Sequence, residues 1–473
     1  MFALSPDVRV DAGRQALDLP DLPRGLHARH VARLVHNLLA AGLLEEARAE
    51  FGEARAAVRS SGETAAAYSL QLTEAALDYT DGRFERSLDL TDAALRAGPG
   101  GGEDTVQRFA QQWRCGALTV LDRLDESLRA AADGVAAAQR DRQAWALHAF
   151  EAGRGRLLLQ MGRLQDAAAT LEGQFGPADA DAMPAISDAA GVVALGRVAL
   201  HTGDRSQTRR TAETARAMLE QGAPGVRRHA AWLLALQAMA EGDAFGARAW
   251  LCALGVEQRT SLLPLFPADI TDEAHLVRIA VAADDLELAE SATAAAERRA
   301  AINPGVRSIL ATAAHARGLQ HGDRRALEQA VQLFESGPRP LALASALEDL
   351  GVASVDRGSE EERIEAFSRA LVLYSHAGAV WDAGRVRGRL RALGVRRRLV
   401  TPARPARGWA GLTDAELAVV RIVAEGLSNR EASQRLFLSP HTVSSHLRHA
   451  FNKLGINSRV ELTRMVLTHD RAD

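Results

Sequence analysis

Lysine is almost missing from this chain: Lys453 is the only one among its 57 basic residues, and all the others are arginine. A nucleotide-binding P-loop sets a lysine on the β- and γ-phosphates, and residues 1–452 contain none, so an ATPase site of that type within them is excluded. Cysteine is equally scarce. Cys115 and Cys252 stand far apart with no His or Cys at ligand spacing, which argues against a disulfide framework or a zinc site and for two small buried hydrophobes. Aromatics make up 4% of the chain, too few for the Tyr- and Phe-rich strands of a β-sandwich. No run approaches 18 apolar residues and no basic N-terminal region precedes an apolar stretch, so a soluble, cytoplasmic protein without a membrane partner is expected. Neither His-Glu-x-x-His, Gly-x-Ser-x-Gly nor a glycine-rich nucleotide fingerprint occurs; no catalytic residue and no cofactor are expected.

What the chain has in quantity is alanine, leucine and arginine, all strong helix formers. At 473 residues it exceeds one ordinary core and implies two or more domains or a repeat array. Its net charge of −3 is unevenly placed: residues 396–473 hold 13 basic against 7 acidic side chains, and the preceding residues 44 against 53. A basic end on an acidic body is the pattern of a protein that meets a polyanion at that end.

A turn followed by a helix recurs through the first 390 residues. Its anchors are Gly42, Gly82, Asp122, Gly162, Gly203, Gly242, Asp284, Gly322 and Gly358, spaced by 36 to 42 residues. Glycine and aspartate tolerate the left-handed conformation that leaves one helix and turns tightly into the next. Five positions later stands a small residue in seven copies: Ala47, Ser87, Ser127, Ala167, Thr208, Ala247 and Ala289. Leu327 and Arg363 break the rule. A small residue there lets two helices approach, so the pattern predicts an α-solenoid over residues 1–395. It resembles a degenerate tetratricopeptide repeat of slightly long period, which implies a groove for a small-molecule or protein ligand, or a scaffold and oligomerisation role. Two stretches interrupt the rhythm. "GPGGGED" (98–104) reads as a loop, and "SLLPLFPADITDEA" (261–274) either folds over the groove or divides the array.

The segment 396–408, with Pro402 and Pro405 among arginines, reads as a linker. Beyond it, Thr413/Glu416, Ser428/Glu431 and Ser458/Glu461 have capping-box spacing, Ser439-Pro440 starts a further helix, and Gly455 ends it. Four helices follow, at about 414–425, 429–436, 440–454 and 459–468, the middle two joined by a tight turn. In the third, Val443, Leu447, Ala450 and Leu454 form one apolar stripe. Thr442, Ser444, Ser445, Arg448, His449, Asn452 and Lys453 lie off it, and the helix holds no carboxylate. Small residues at 444 and 445 allow close entry into a groove, with Arg448 able to reach a base edge. Free N–H groups at Asn429 and Arg430 suit a phosphate. His446 sits at the edge of the stripe as a structural histidine, and His446 with His449 lacks a third ligand, so no metal site is expected.

Residues 412–462, "LTDAELAVVRIVAEGLSNREASQRLFLSPHTVSSHLRHAFNKLGINSRVEL", closely resemble the LuxR-type (GerE-type) helix-turn-helix. The resemblance implies an all-α protein, a repeat solenoid followed by a four-helix DNA-binding domain at 409–473. It implies that 440–454 reads DNA, with base contacts from Ser444, Ser445 and Arg448. Phosphate contacts would come from Ser428, Asn429, Arg430, Thr442, His449, Asn452 and Lys453, the last being where the family places its end-of-helix lysine. The family often has a basic residue after Thr-Val, where this chain has Ser444; that bears on base preference. The fourth helix is expected to dimerise through Val460, Arg464 and Leu467 on a twofold DNA site.

Residues 275–398 also resemble the carboxyl half of the large ATP-binding LuxR-type regulators. The chain is then either a shorter regulator working without ATP or a fragment that begins at Met1. The expected function is a sequence-specific transcriptional regulator, an activator, with promoter DNA, a second copy, RNA polymerase and a ligand in the repeat groove as partners. It would be associated with the nucleoid when bound. The alternative is a repeat-based adaptor whose terminal domain mainly dimerises. The arginine-rich, alanine-rich composition points to a GC-rich bacterial genome.

Overall fold

The repeat spacing is realised as paired antiparallel helices. A computed structural model of the chain describes residues 6–98, 104–172, 186–252, 269–354, 359–396, 408–436, 438 and 440–469. Among the described residues every regular element is a helix. Helix pairs follow one another from Arg24–Ala41 with Leu44–Ser61 to Pro340–Ala353 with Glu360–Ala377, and Val380–Ala392 closes the array. All eight described anchors are left-handed, with φ between 56° at Asp284 and 85° at Gly242. The turns also carry the hydrogen bonds that such an ending requires: the Leu43 N–H donates to the Leu38 carbonyl at 2.9 Å and the Asp285 N–H to that of Ala280 at 2.8 Å. Gly358, residues 99–103 and residues 261–268 lie outside the described residues.

Six of the seven small positions do what their size suggests, while Thr208 is only half-buried. Ala47, Ser87, Ser127, Ala167, Ala247 and Ala289 are buried. The two serines add a tie, since Ser87 Oγ donates to the Ala75 carbonyl at 2.7 Å and Ser127 Oγ to that of Cys115 at 2.9 Å. Leu327 breaks the size rule because its partner helix supplies the room instead. A Cβ placed on Gly318 would stand 2.7 Å from Leu327 Cδ2.

The array winds back on itself. Arg228 donates to the Gly42 carbonyl at 2.7 Å, and Asn303 to that of Gly82 at 2.8 Å. Arg339 reaches Asp122 at 3.0 Å and the Thr119 carbonyl at 2.7 Å, and His201 Nδ1 lies 2.7 Å from Asp382. These partners are 181 to 221 positions apart, roughly five repeat lengths, so one wind of the solenoid rests on the next. The hydrophobic clusters follow the same path: Leu158, Leu195, Phe334, Leu371 and Val386 share one core. The described end of the 261–274 stretch is part of this seam. Asp272 pairs with Arg197 at 2.7 Å, and Glu273 with the buried Arg299.

Candidate nucleic-acid interface

Four helices form the C-terminal unit: Asp414–Ala424, Asn429–Leu436, Pro440–Leu454 and Arg459–His469. Their starts are fixed by side chains. Thr413 Oγ1 accepts the Glu416 N–H at 3.2 Å, while the Glu416 carboxylate accepts the Thr413 N–H at 2.8 Å. Ser428 and Glu431 make the same exchange. The third expected box is shifted by one residue: Ser458 caps the Glu461 N–H, but the Glu461 carboxylate turns to the Asn457 N–H at 2.9 Å. Ser439, expected to cap the third helix, lies outside the described residues.

A single core, built from Val419, Val420 and Val423 of the first helix and Leu462 and Val466 of the fourth, receives Val443, Leu447 and Ala450 of the third. That packing turns the opposite side of the third helix outward. Ser444, Arg448 and Asn452 are exposed at successive spacings of four, with Ser445 and His449 half-buried beside them. The row carries one permanent cation and no carboxylate. Burial lowers the pKa of His449, opposed by Glu416 and reinforced by Arg448 and Lys453, so at neutral pH it can donate a hydrogen bond but brings no charge.

The remaining candidates are placed differently. Arg430 and Ser428 are exposed at the start of the second helix, where unpaired N–H groups gather. The Asn429 side chain is engaged by Arg459, which also donates to the Leu427 carbonyl at 2.7 Å. Thr442 is buried. Lys453 turns inward, its Nζ lying 2.7 Å from Glu416 Oε2, a carboxylate that is only 3% exposed. The sequence missed this pair because Glu416 was fully accounted for as a cap. His446 is buried and its pKa is lowered to about 4 by burial, with Glu416 opposing and His449 and Lys453 adding to the shift. On the fourth helix Val460 and Leu467 are 79% and 55% exposed, beside the exposed Arg464.

The unit also touches the repeats, a contact no local motif announced. Asp414 receives Arg154 at 3.3 Å and Arg163 at 3.1 Å, and its helix packs on Leu164–Glu172. Asp414 is 45% exposed, and exposed pairs of this kind contribute only about 0–1 kcal/mol each. The seam is a weak one.

A tight helix pair presenting a carboxylate-free face, behind an array of helical repeats, defines a helix-turn-helix unit of the DNA-binding class. Residues 410–466 match the family "Bacterial regulatory proteins, luxR family"; the C-terminal domain is a GerE/LuxR-type helix-turn-helix. An HTH-type transcriptional regulator of Mycobacterium tuberculosis strain H37Rv is 59% identical over 59 residues, 12% of this chain and 7% of that protein. A nitrate/nitrite response regulator protein homolog of Haemophilus influenzae is 42% identical over 60 residues, 13% of this chain and 29% of that protein. The response regulator UvrY of Escherichia coli K12 is 34% identical over 70 residues, 15% of this chain and 32% of that protein. The chain thus aligns with under a third of the length of each of these relatives. Among solved structures, a circular tandem repeat protein aligns over 99% of this chain at 14% identity and a TM-score of 0.13.

Proposed function

We propose that the protein is a sequence-specific transcriptional regulator without catalytic chemistry, whose third C-terminal helix reads promoter DNA in the major groove. The observation that carries this reading is the exposed row Ser444–Arg448–Asn452, with Ser445 alongside, on a helix lacking any carboxylate. Ser444, Ser445 and Arg448 take the base edges, while Ser428, Asn429, Arg430, His449 and Asn452 hold phosphates. Thr442 and Lys453, both directed to the domain interior, are left out of the contact set. The exposed Val460, Arg464 and Leu467 pair two copies about a twofold axis, which sets an inverted-repeat site. The tetratricopeptide-like repeats over residues 1–395 sense a ligand or partner. The linker over 396–408 couples them to the domain over 409–473, and activation proceeds through RNA polymerase.

Footprinting on fragments of its own upstream region, followed by transcription in vitro with RNA polymerase, tests the proposal. Protection of two half-sites about ten base pairs apart with increased transcript supports it. Uniform protection, or none, under every ligand condition contradicts it.

A further inference from the structure

The start of the short second helix of the C-terminal unit, Asn429–Leu436, is gripped by a residue of another helix. Arg459 opens the fourth helix, Arg459–His469, yet its side chain reaches a residue 30 positions earlier in the chain. Its Nη1 donates to the Leu427 carbonyl at 2.7 Å and its Nη2 to Asn429 Oδ1. One guanidinium fork therefore ties the residues on either side of Ser428, the cap of the second helix.

This contact decides which way the Asn429 amide faces. A guanidinium has only donors, so the atom that meets it is the amide oxygen. The amide nitrogen, with two N–H donors, is turned away from Arg459 and has no partner among the described residues. It is not one of the buried orphaned atoms, so it keeps surface open to solvent. Arg430, next in the chain, is exposed as well.

Helix stability does not account for the charge. The N-terminus of a helix is its positive end, where a cation is disfavoured. Arg459 stands in the first turn of its own helix and also beside the first turn of the second. Glu431 and Glu461, one in each first turn, offset part of this. A cation held between two positive helix ends becomes favourable when an anion arrives, and DNA phosphate is the anion this domain meets.

We propose that Arg459 is a positioning residue for DNA binding: its fork holds the Asn429 amide with both N–H groups outward, to donate to a backbone phosphate that Arg459 itself does not touch. The inference rests on the phosphate role proposed for Asn429. Phosphates carry no sequence information, so the effect is the same on every duplex, whereas base reading by Arg448 is confined to one site.

The experiment is fluorescence-anisotropy titration of the full chain with a random-sequence duplex and with fragments of its own upstream region. Wild type is compared with Arg459→Lys, Asn429→Ala and the double variant, and melting curves show that each is folded at the titration temperature. Arg459→Lys keeps the charge and loses the fork. It is expected to bind every duplex about tenfold more weakly, as is Asn429→Ala, since each removes a donor from a charged acceptor. The double variant should bind no more weakly than Asn429→Ala alone. Wild-type affinity in folded Arg459→Lys overturns the proposal, because charge or structural support alone would then suffice. A tenfold loss that persists on the Asn429→Ala background also overturns it, since Arg459 would then act without Asn429. Should wild type bind no duplex at all, the DNA-binding reading fails and this inference with it. Should it bind random and upstream duplexes alike, base reading fails while the double variant still decides the role of Arg459.

Discussion

Lys453 Nζ lies 2.7 Å from Glu416 Oε2, and the same oxygen accepts the Thr413 N–H at 2.8 Å. One carboxylate therefore starts the first helix of the DNA-binding domain and pins the end of the third. A compact ammonium suits this nearly closed site better than the broad guanidinium fork found everywhere else in the chain. Lys453→Met leaves the buried Glu416 without its counter-charge and is expected to cost on the order of 2 kcal/mol. In so small a domain that lowers its melting midpoint by about 10 °C. Where the variant is still folded, the slope of DNA affinity against salt stays at the wild-type value. A slope reduced by about one would assign Lys453 to a phosphate instead.

His446 makes the domain sensitive to acid. Burial holds its folded pKa at about 4, below the ordinary value of 6.5. The unfolded chain then binds the extra proton first, so stability is complete above about pH 6.5 and is lost as pH falls toward 4. The full loss is on the order of 3 kcal/mol, of which about 2 kcal/mol has gone by pH 5. Melting the domain at pH 7.5 and pH 5 should show the drop in wild type and a much smaller one in His446→Gln.

The repeat packing depends on which helix of a pair supplies the small residue. Gly318→Ala drives a Cβ to 2.7 Å from Leu327 and should destabilise the array by about 1–3 kcal/mol. Gly52→Ala, in a helix interior with nothing within 4 Å, should be neutral or stabilising by up to about 1 kcal/mol. Denaturant midpoints of the two variants check the pair. Equal shifts would mean that the Gly318 contact does not govern the packing.

Sequence period and cap chemistry made much of this architecture legible. Anchors such as Gly42 and Asp284 are left-handed in the structure because a local turn requires it, and a local requirement leaves a local signature. The stripe Val443–Leu447–Ala450 placed the third helix correctly because helical spacing alone decides which side is buried. What stayed hidden is long-range. Nothing near Asp122 announces Arg339, 217 positions away, and so the winding of the array on itself could not be read. The inward turn of Lys453 was hidden for the same reason, its partner lying 37 positions earlier on another helix.

The exposed apolar pair on the fourth helix should control association. Changing Val460 and Leu467 together to glutamate removes an apolar contact and adds like charges across a twofold. Sedimentation is expected to show a dimer for wild type and a monomer for the double variant, with an unchanged circular dichroism spectrum. A dimer that survives the double change would move the interface elsewhere.

The most direct measurement is affinity for fragments of the protein's own upstream region at two salt concentrations, wild type against Arg448→Ala. Selective binding to one fragment that weakens with salt is predicted, and the variant should lose about 1–3 kcal/mol on that fragment alone. Equal affinity of both proteins for every fragment would contradict base reading by the third helix.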